Sequence, residues 1–173
     1  MTEKQESILK AALQLFANEG YYATSTSKVA KLAGVSEGLI FRHFGNKEGL
    51  LQAILEFGAD KLKELVVDIV MEPEPTEVIR KAIQIPVNID NADFDFWKLQ
   101  FKLKWELEVS GDEKMEPLKM ALTNAFSKLN YESPELEAQL LILFIDGIGS
   151  AVLKGSSLNA EEMIQFLLNK YEL

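Results

Sequence analysis

An all-α fold of about nine helices is predicted for this chain, read as an N-terminal and a C-terminal helical domain. Three observations predict it. Apolar residues recur three and four apart through most of the 173 residues. The β-branched residues and tyrosines are scattered among Leu, Ala, Lys and Glu, which are the stronger helix formers. Only five Pro and ten Gly interrupt the chain, which leaves room for long helices. With 47% apolar and 26% charged residues the composition is that of an ordinary globular protein.

The first helix is expected over Lys4 to Asn18, because Ile8, Ala11, Ala12, Leu15 and Phe16 share one face and Asn18-Glu19-Gly20 supplies a stop. Ser25 is suited to cap a short helix over Thr26 to Ala33, which Gly34 ends. Ser36 is suited to cap a third helix, with Ile40 and Phe44 on one face. Two short helices joined by a tight turn containing Gly are what a helix-turn-helix unit requires. The outward positions of the third helix are then Glu37, Leu39, Arg42 and His43. In a major groove its N-terminal residues would face base edges, with Arg42 and His43 placed for phosphates. Asn46 caps a fourth helix, and Lys47 beside that helix's first amides forms a small anion site.

From Asn46 a long helix is expected to end before Pro73 and to link a domain of residues 1–46 to one of residues 47–173. Thr76 is read as the cap of a helix over Glu77 to Ile85. Further helices are expected over Phe94 to Glu108, closed by Ser110-Gly111-Asp112, then Lys114 to Leu129, Pro134 to Lys154 after Ser133, and Ala160 to Tyr171 after Asn159.

Two of these later segments carry more apolar surface than one face needs. Phe94, Trp97, Phe101 and Trp105 form one stripe of their helix, and Phe96, Leu99, Leu103 and Leu107 another. Aromatic residues at this density are either packed core or the wall of a small-molecule pocket. The segment 134–171 offers Leu140, Phe144, Gly147 and Ala151 on one stripe, with Met163, Phe166 and Leu167 on the last helix. Gly147 and Gly149 lower helix propensity but let another helix approach closely, as in a four-helix dimer interface.

Composition also excludes classes of function. The chain has no Cys, so disulfides, thiolate metal sites and cysteine nucleophiles are ruled out, and a reducing, cytoplasmic setting is expected. Its single His, and the lack of an HExxH, P-loop or GxGxxG pattern, argue against an enzyme and against a metal or cofactor. The N-terminus does not read as a signal peptide, and the longest apolar run, from Leu140, falls short of a membrane span even when extended to Leu153. Net charge is −9, yet residues 1–50 hold six Lys and Arg against five Asp and Glu, a net of +1, while residues 51–173 hold twelve against twenty-two, a net of −10. The net charge argues against a protein whose whole surface binds nucleic acid, and the two parts need separate readings.

A set of residues at fixed spacing carries a family resemblance: Ala11, Leu15, Phe16, Gly20 and Tyr21, then Thr24, Ser25, Val29, Ala30, Ala33, Gly34, Val35, Ser36, Gly38, Ile40, Phe41, His43, Phe44, Asn46, Lys47, Leu50 and Leu51. Over about the first 55 residues the chain resembles the TetR family of bacterial transcriptional regulators. The remaining two-thirds resemble it only in length and helical character. The resemblance implies a homodimer that binds double-stranded operator DNA through two N-terminal domains and, as a repressor, leaves a palindromic site when a small, largely apolar molecule enters the C-terminal domain.

Carried over residue by residue, it places Ser25 and Ser27 at the start of the second helix, Ser36, Glu37 and Leu39 on the recognition helix, Phe41 and His43 at its phosphate end and Lys47 after it. It also raises Trp97, Phe101 and Trp105, with Met120, Phe126 and Phe144, as an effector pocket. Three positions depart from the family pattern: Tyr is common where Phe41 stands, a small polar residue where Leu39 stands, and often a basic residue where Glu37 stands. These departures, with the weak +1 charge, motivate an alternative: a helical interaction or ligand-binding protein with impaired DNA binding.

Overall fold

The computed structural model describes the backbone of residues 1–106 and 112–173, and the side chains of these residues except 59–62, 104–106 and 112–114. Among the described residues the chain is helical throughout: α1 (Glu3–Glu19), α2 (Thr26–Ala33), α3 (Glu37–Phe44), α4 (Lys47–Val70), α5 (Pro75–Gln84), α6 (Phe94–Glu106), α7 (Asp112–Lys128), α8 (Pro134–Leu153) and α9 (Ala160–Lys170). The expected all-α fold of about nine helices is present.

Two compact units result. The first comprises residues 1–61 and 92–109, the second residues 62–91 and 110–173. This division differs from the expected boundary between residues 46 and 47, because α6 takes part in the first core. Leu99 and Leu103 are buried with Ile8, Ala12, Phe16, Ile40 and Leu50. Lys102 Nζ also donates to the carbonyl of Asn18 at 3.0 Å, satisfying an acceptor at the C-terminal end of α1.

The core of the second unit joins Val78, Ile79 and Ala82 of α5, Leu118, Leu122 and Phe126 of α7, Leu141, Ile145 and Ile148 of α8, and Ile164 and Leu167 of α9. Phe126 packs against Tyr131 and Tyr171 with ring centroids 5.0 and 5.4 Å away. The Tyr171 hydroxyl donates to Glu137 Oε2 at 3.0 Å, and burial together with that carboxylate holds its proton far above the ordinary range.

Several expected boundaries move for local reasons. α5 begins at Pro75, whose fixed φ suits the first helical position, so Glu74 occupies the cap position and Thr76 lies inside the helix. Ser133 and Ser36 stand at the cap positions of α8 and α3, yet neither hydroxyl makes the cap hydrogen bond. The capping box at Thr2 and Gln5, which the sequence reading missed, starts α1 one residue earlier than expected. Leu107 and Glu108, and Ser110 and Gly111 of the expected terminator, lie outside the described residues.

α8 corrects the expectation about membrane spans. It runs 20 residues and is long and apolar enough to cross a membrane by length and composition. Only one face is used by its own unit: Ala138, Leu141, Ile145 and Ile148 are buried, whereas Leu136, Leu140, Leu143 and Phe144 are exposed. Glu135, Glu137 and Asp146 interrupt the helix with charge. A water-soluble helix with one intramolecular face and one free apolar face has the same composition as a spanning helix.

Candidate nucleic-acid interface

The site is built on the turn between α2 and α3. Ser25 caps α2 by accepting from the amide of Lys28 at 3.2 Å. Gly34 ends it in the left-handed conformation, φ 68°, and the amide of Val35 reaches back to the carbonyl of Ala30 at 3.0 Å. This is the glycine closure that lets a helix stop and the chain turn within three residues. Val29 and Ala30 on α2 and Ile40 on α3 are buried in the first core, so the two helices are held by their inner faces.

What remains outward on α3 is the candidate surface. Ser36, Gly38, Phe41, Arg42 and His43 are exposed, while Leu39 is half-buried against the core. Glu37 is engaged elsewhere: its Oε1 accepts from the Thr26 hydroxyl at 2.6 Å, bracing α3 against α2. That bond holds one carboxylate oxygen of Glu37 beside α2, at the N-terminal end of α3. Ser27 is exposed on α2 beside Ser25.

His43 and Lys47 are both positioned by neighbours. Gln5 Nε2 lies 3.5 Å from His43 Nδ1, and donation from the amide favours the tautomer that carries its proton on Nε2. Gln5 itself is held, because its Oε1 accepts from the Thr2 amide at 2.8 Å. Lys47 opens α4, whose first turn is capped by Asn46 Oδ1 accepting from Gly49 N at 2.7 Å. The Lys47 ammonium rests 4.3 Å from the centroid of Tyr21, where the ring face attracts it. Burial, and secondarily the Glu48 carboxylate, push the Tyr21 hydroxyl up to about 12, so the ring stays neutral beneath the cation. A cation next to the free amides of a helix N-terminus suits a phosphate oxygen. Among the residues not singled out from the sequence are Thr26 and Gln5, whose partners are eleven and thirty-eight positions away and leave no local signal.

The six residues raised as an effector pocket are drawn from both units. Trp97 and Phe101 are half-buried on α6 in the first unit, and the side chain of Trp105 lies outside those described. In the second unit Phe126 is fully buried core, Met120 is 65% exposed and Phe144 is 37% exposed. Of the residues raised for a dimer interface, Leu140, Phe144, Gly147 and Phe166 are exposed and Ala151 and Met163 are half-buried. Leu167 is corrected: it is buried in its own core, because α9 turns the adjacent Phe166 outward instead.

Gly38 gives a direct probe of this surface. A Cβ there would meet nothing within 4 Å, so Gly38→Ala is expected to stabilise the protein by about 0.5 to 1 kcal/mol through helix propensity. The same methyl group would stand on the outward side of α3, so affinity for duplex DNA should fall. Thermal melts and DNA titrations of one variant check both signs.

Comparison with known proteins agrees with this geometry. Residues 8–54 match the family model described as "Bacterial regulatory proteins, tetR family". YerO of Bacillus subtilis (strain 168), an uncharacterized HTH-type transcriptional regulator, is 36% identical over 100 residues, which is 54% of this chain and 34% of that protein. The chain thus spans about a third of the length of the curated relatives it matches.

Two solved structures extend the likeness to the whole fold. A Saccharomonospora viridis protein in complex with choline superimposes with a TM-score of 0.80 at 19% identity, covering 99% of this chain and 97% of that one. AibR in complex with isovaleryl coenzyme A and operator DNA superimposes with a TM-score of 0.76 at 21% identity, covering 97% of each. At such identities these two speak for the fold alone. With the motif match over residues 8–54 and the helix-turn-helix geometry, the N-terminal part of the chain is similar to that of the TetR family of bacterial regulatory proteins.

Proposed function

We propose that this protein is a ligand-responsive transcriptional repressor that binds duplex operator DNA as a homodimer. The observation that carries the reading is the braced α2–α3 pair, with Arg42, His43 and Lys47 presented at the phosphate end of α3 in a unit whose net charge is less acidic than the rest. Ser25, Ser27 and Ser36 supply hydroxyls at the N-terminal ends of α2 and α3, and Leu39 and Phe41 supply apolar surface for a thymine methyl or a sugar edge. Repression is the assigned direction because a protein that occupies a promoter blocks polymerase without needing any contact to it.

The homodimer reading rests on α8 and α9. Leu136, Leu143 and Phe166 are each more than 60% exposed, an apolar face of the sort that two-fold contacts cover. Gly147 lies within it, and a Cβ there would meet nothing within 4 Å of the same chain. Gly147→Leu is therefore expected to leave the fold of each chain intact and weaken association about tenfold or more, by forcing the facing helices apart. Sedimentation of the wild type as a monomer at micromolar concentration would remove the dimer.

A dimer of this kind covers two half-sites whose centres lie about one helical turn, ~34 Å, or a multiple apart. Lys47→Ala and His43→Ala should weaken binding to all sequences alike, whereas changes at Ser36 or Leu39 should alter which sequence is preferred. Selection of bound sequences from a random pool tests this, and a pool with no palindromic or pseudopalindromic site would contradict it. For the effector, coupling of ~1 to 3 kcal/mol corresponds to a change of about 5- to 150-fold in DNA affinity, with the reciprocal change in effector affinity.

A further inference from the structure

The first unit contains a cleft of ≈ 390 Å³, within the range of small-molecule sites. Its floor is carbon. Leu9 and Leu13 of α1, Ile54 and Gly58 of α4 and Phe96 of α6 line it, and all but Leu13 are buried. Gly58 leaves room for this floor, because a Cβ there would overlap the Phe96 ring and oblige it to shift. At the mouth, Phe57 adds exposed apolar surface. Glu6, Lys10 and Asp93 stand there too, two carboxylates against one ammonium among the lining side chains, a balance that disfavours an anionic occupant. Among the described residues, none of the aromatic side chains first raised for an effector pocket lines this cleft.

We infer that the cleft binds an uncharged aliphatic molecule whose presence changes the affinity of α3 for DNA. The regulatory half rests on the proposed repressor function; the binding half does not. Apolar lining of this depth gains from removing hydrocarbon from water, and an anionic or cationic head drawn onto Leu9, Ile54 and Phe96 would lose its hydration without a partner. The coupling route is short. α1 carries the cleft's wall and also holds His43 through Gln5 at 3.5 Å and the carbonyl of Ala33, at the end of α2, through the Ser7 hydroxyl at 3.1 Å. α4 carries Ile54 and Gly58 and begins at Lys47. An occupant that alters the spacing of α1 and α4 acts on the two helices that position His43 and Lys47.

The test uses the full chain and n-decanol as the probe, with decanoate for comparison. Calorimetry should give saturable binding of n-decanol, with amide shifts in NMR concentrated at Leu9, Leu13, Ile54 and Gly58, and decanoate about tenfold weaker. Leu13→Trp, which fills the cleft from its half-buried wall, should abolish binding, whereas Leu13→Met should retain it. If Leu13→Trp fails to fold, the amide shifts of the wild type still decide the location. No saturable binding, shifts confined to α8 and α9, or equal affinity for decanoate would overturn the site and its ligand class. Retention on bulk genomic DNA at low salt should change about fivefold or more with saturating n-decanol; binding without that change would overturn the regulatory half. A protein that never binds DNA, with or without n-decanol, would instead refute the repressor reading and leave the site standing.

Discussion

Phe126→Ala is expected to destabilise the protein by about 3 to 5 kcal/mol, a large part of the 5 to 15 kcal/mol typical of a native domain. The ring is fully buried and packs against Tyr131 and Tyr171, so its removal loses both transfer energy and contacts on two aromatic faces. Denaturant titration reads the effect as a fall in midpoint at nearly constant slope. The size of the loss separates core from pocket. A side chain lining an empty pocket already lacks neighbours on one side, and its truncation would cost about 1 kcal/mol or less while changing ligand affinity. That outcome would restore Phe126 to an effector site.

Gly49→Ala should destabilise by about 1 to 3 kcal/mol and weaken DNA binding, although alanine is intrinsically the better helix former by roughly 1 kcal/mol. Gly49 sits in the first turn of α4, where a Cβ would overlap the Phe44 carbonyl oxygen, a backbone atom at the end of α3 that cannot swing aside. Accommodating the methyl requires α3 to move relative to α4, which separates the recognition helix from Lys47. The comparison with Gly38→Ala is internal to the same twelve-residue stretch: one glycine has open space and the other has backbone. Equal or greater stability for Gly49→Ala would show that the α3–α4 junction is looser than this packing implies.

The helix-turn-helix was readable because its signals are local. Ser25, Gly34 and Asn46 act on amides and carbonyls within a few residues, and the structure uses all three as the spacing predicts. The destination of α6 was not readable. Its two apolar stripes announce burial without saying against what, and only Leu99 and Leu103 meeting α1 assigns the helix to the first unit. The same limit applies to α9, where Phe166 and Leu167 are adjacent apolar residues and only the rotation of the helix decides which of them faces out. Glu37 illustrates a third limit. Its place on the outward side of α3 is legible, but the hydrogen bond to its Oε1 from the Thr26 hydroxyl eleven residues earlier is not.

The cleft of the first unit escaped the sequence reading for a related reason. Leu9, Ile54 and Phe96 come from three helices, each of which reads as ordinary core on its own. Gly58, the residue that makes room for the Phe96 ring, lies inside α4 without any turn or cap signal beside it.

The central claim, that α3 and the start of α4 engage duplex DNA, is tested most directly by the salt dependence of binding to bulk genomic DNA for the wild type and for Lys47→Ala. Neutralising phosphates releases counterions, so the logarithm of affinity should fall linearly with the logarithm of salt concentration. Removing the Lys47 ammonium should reduce the magnitude of that slope by about 1 and weaken binding to every sequence alike. Absence of salt-dependent retention by the wild type at low salt, or a Lys47→Ala slope equal to that of the wild type, would contradict the account.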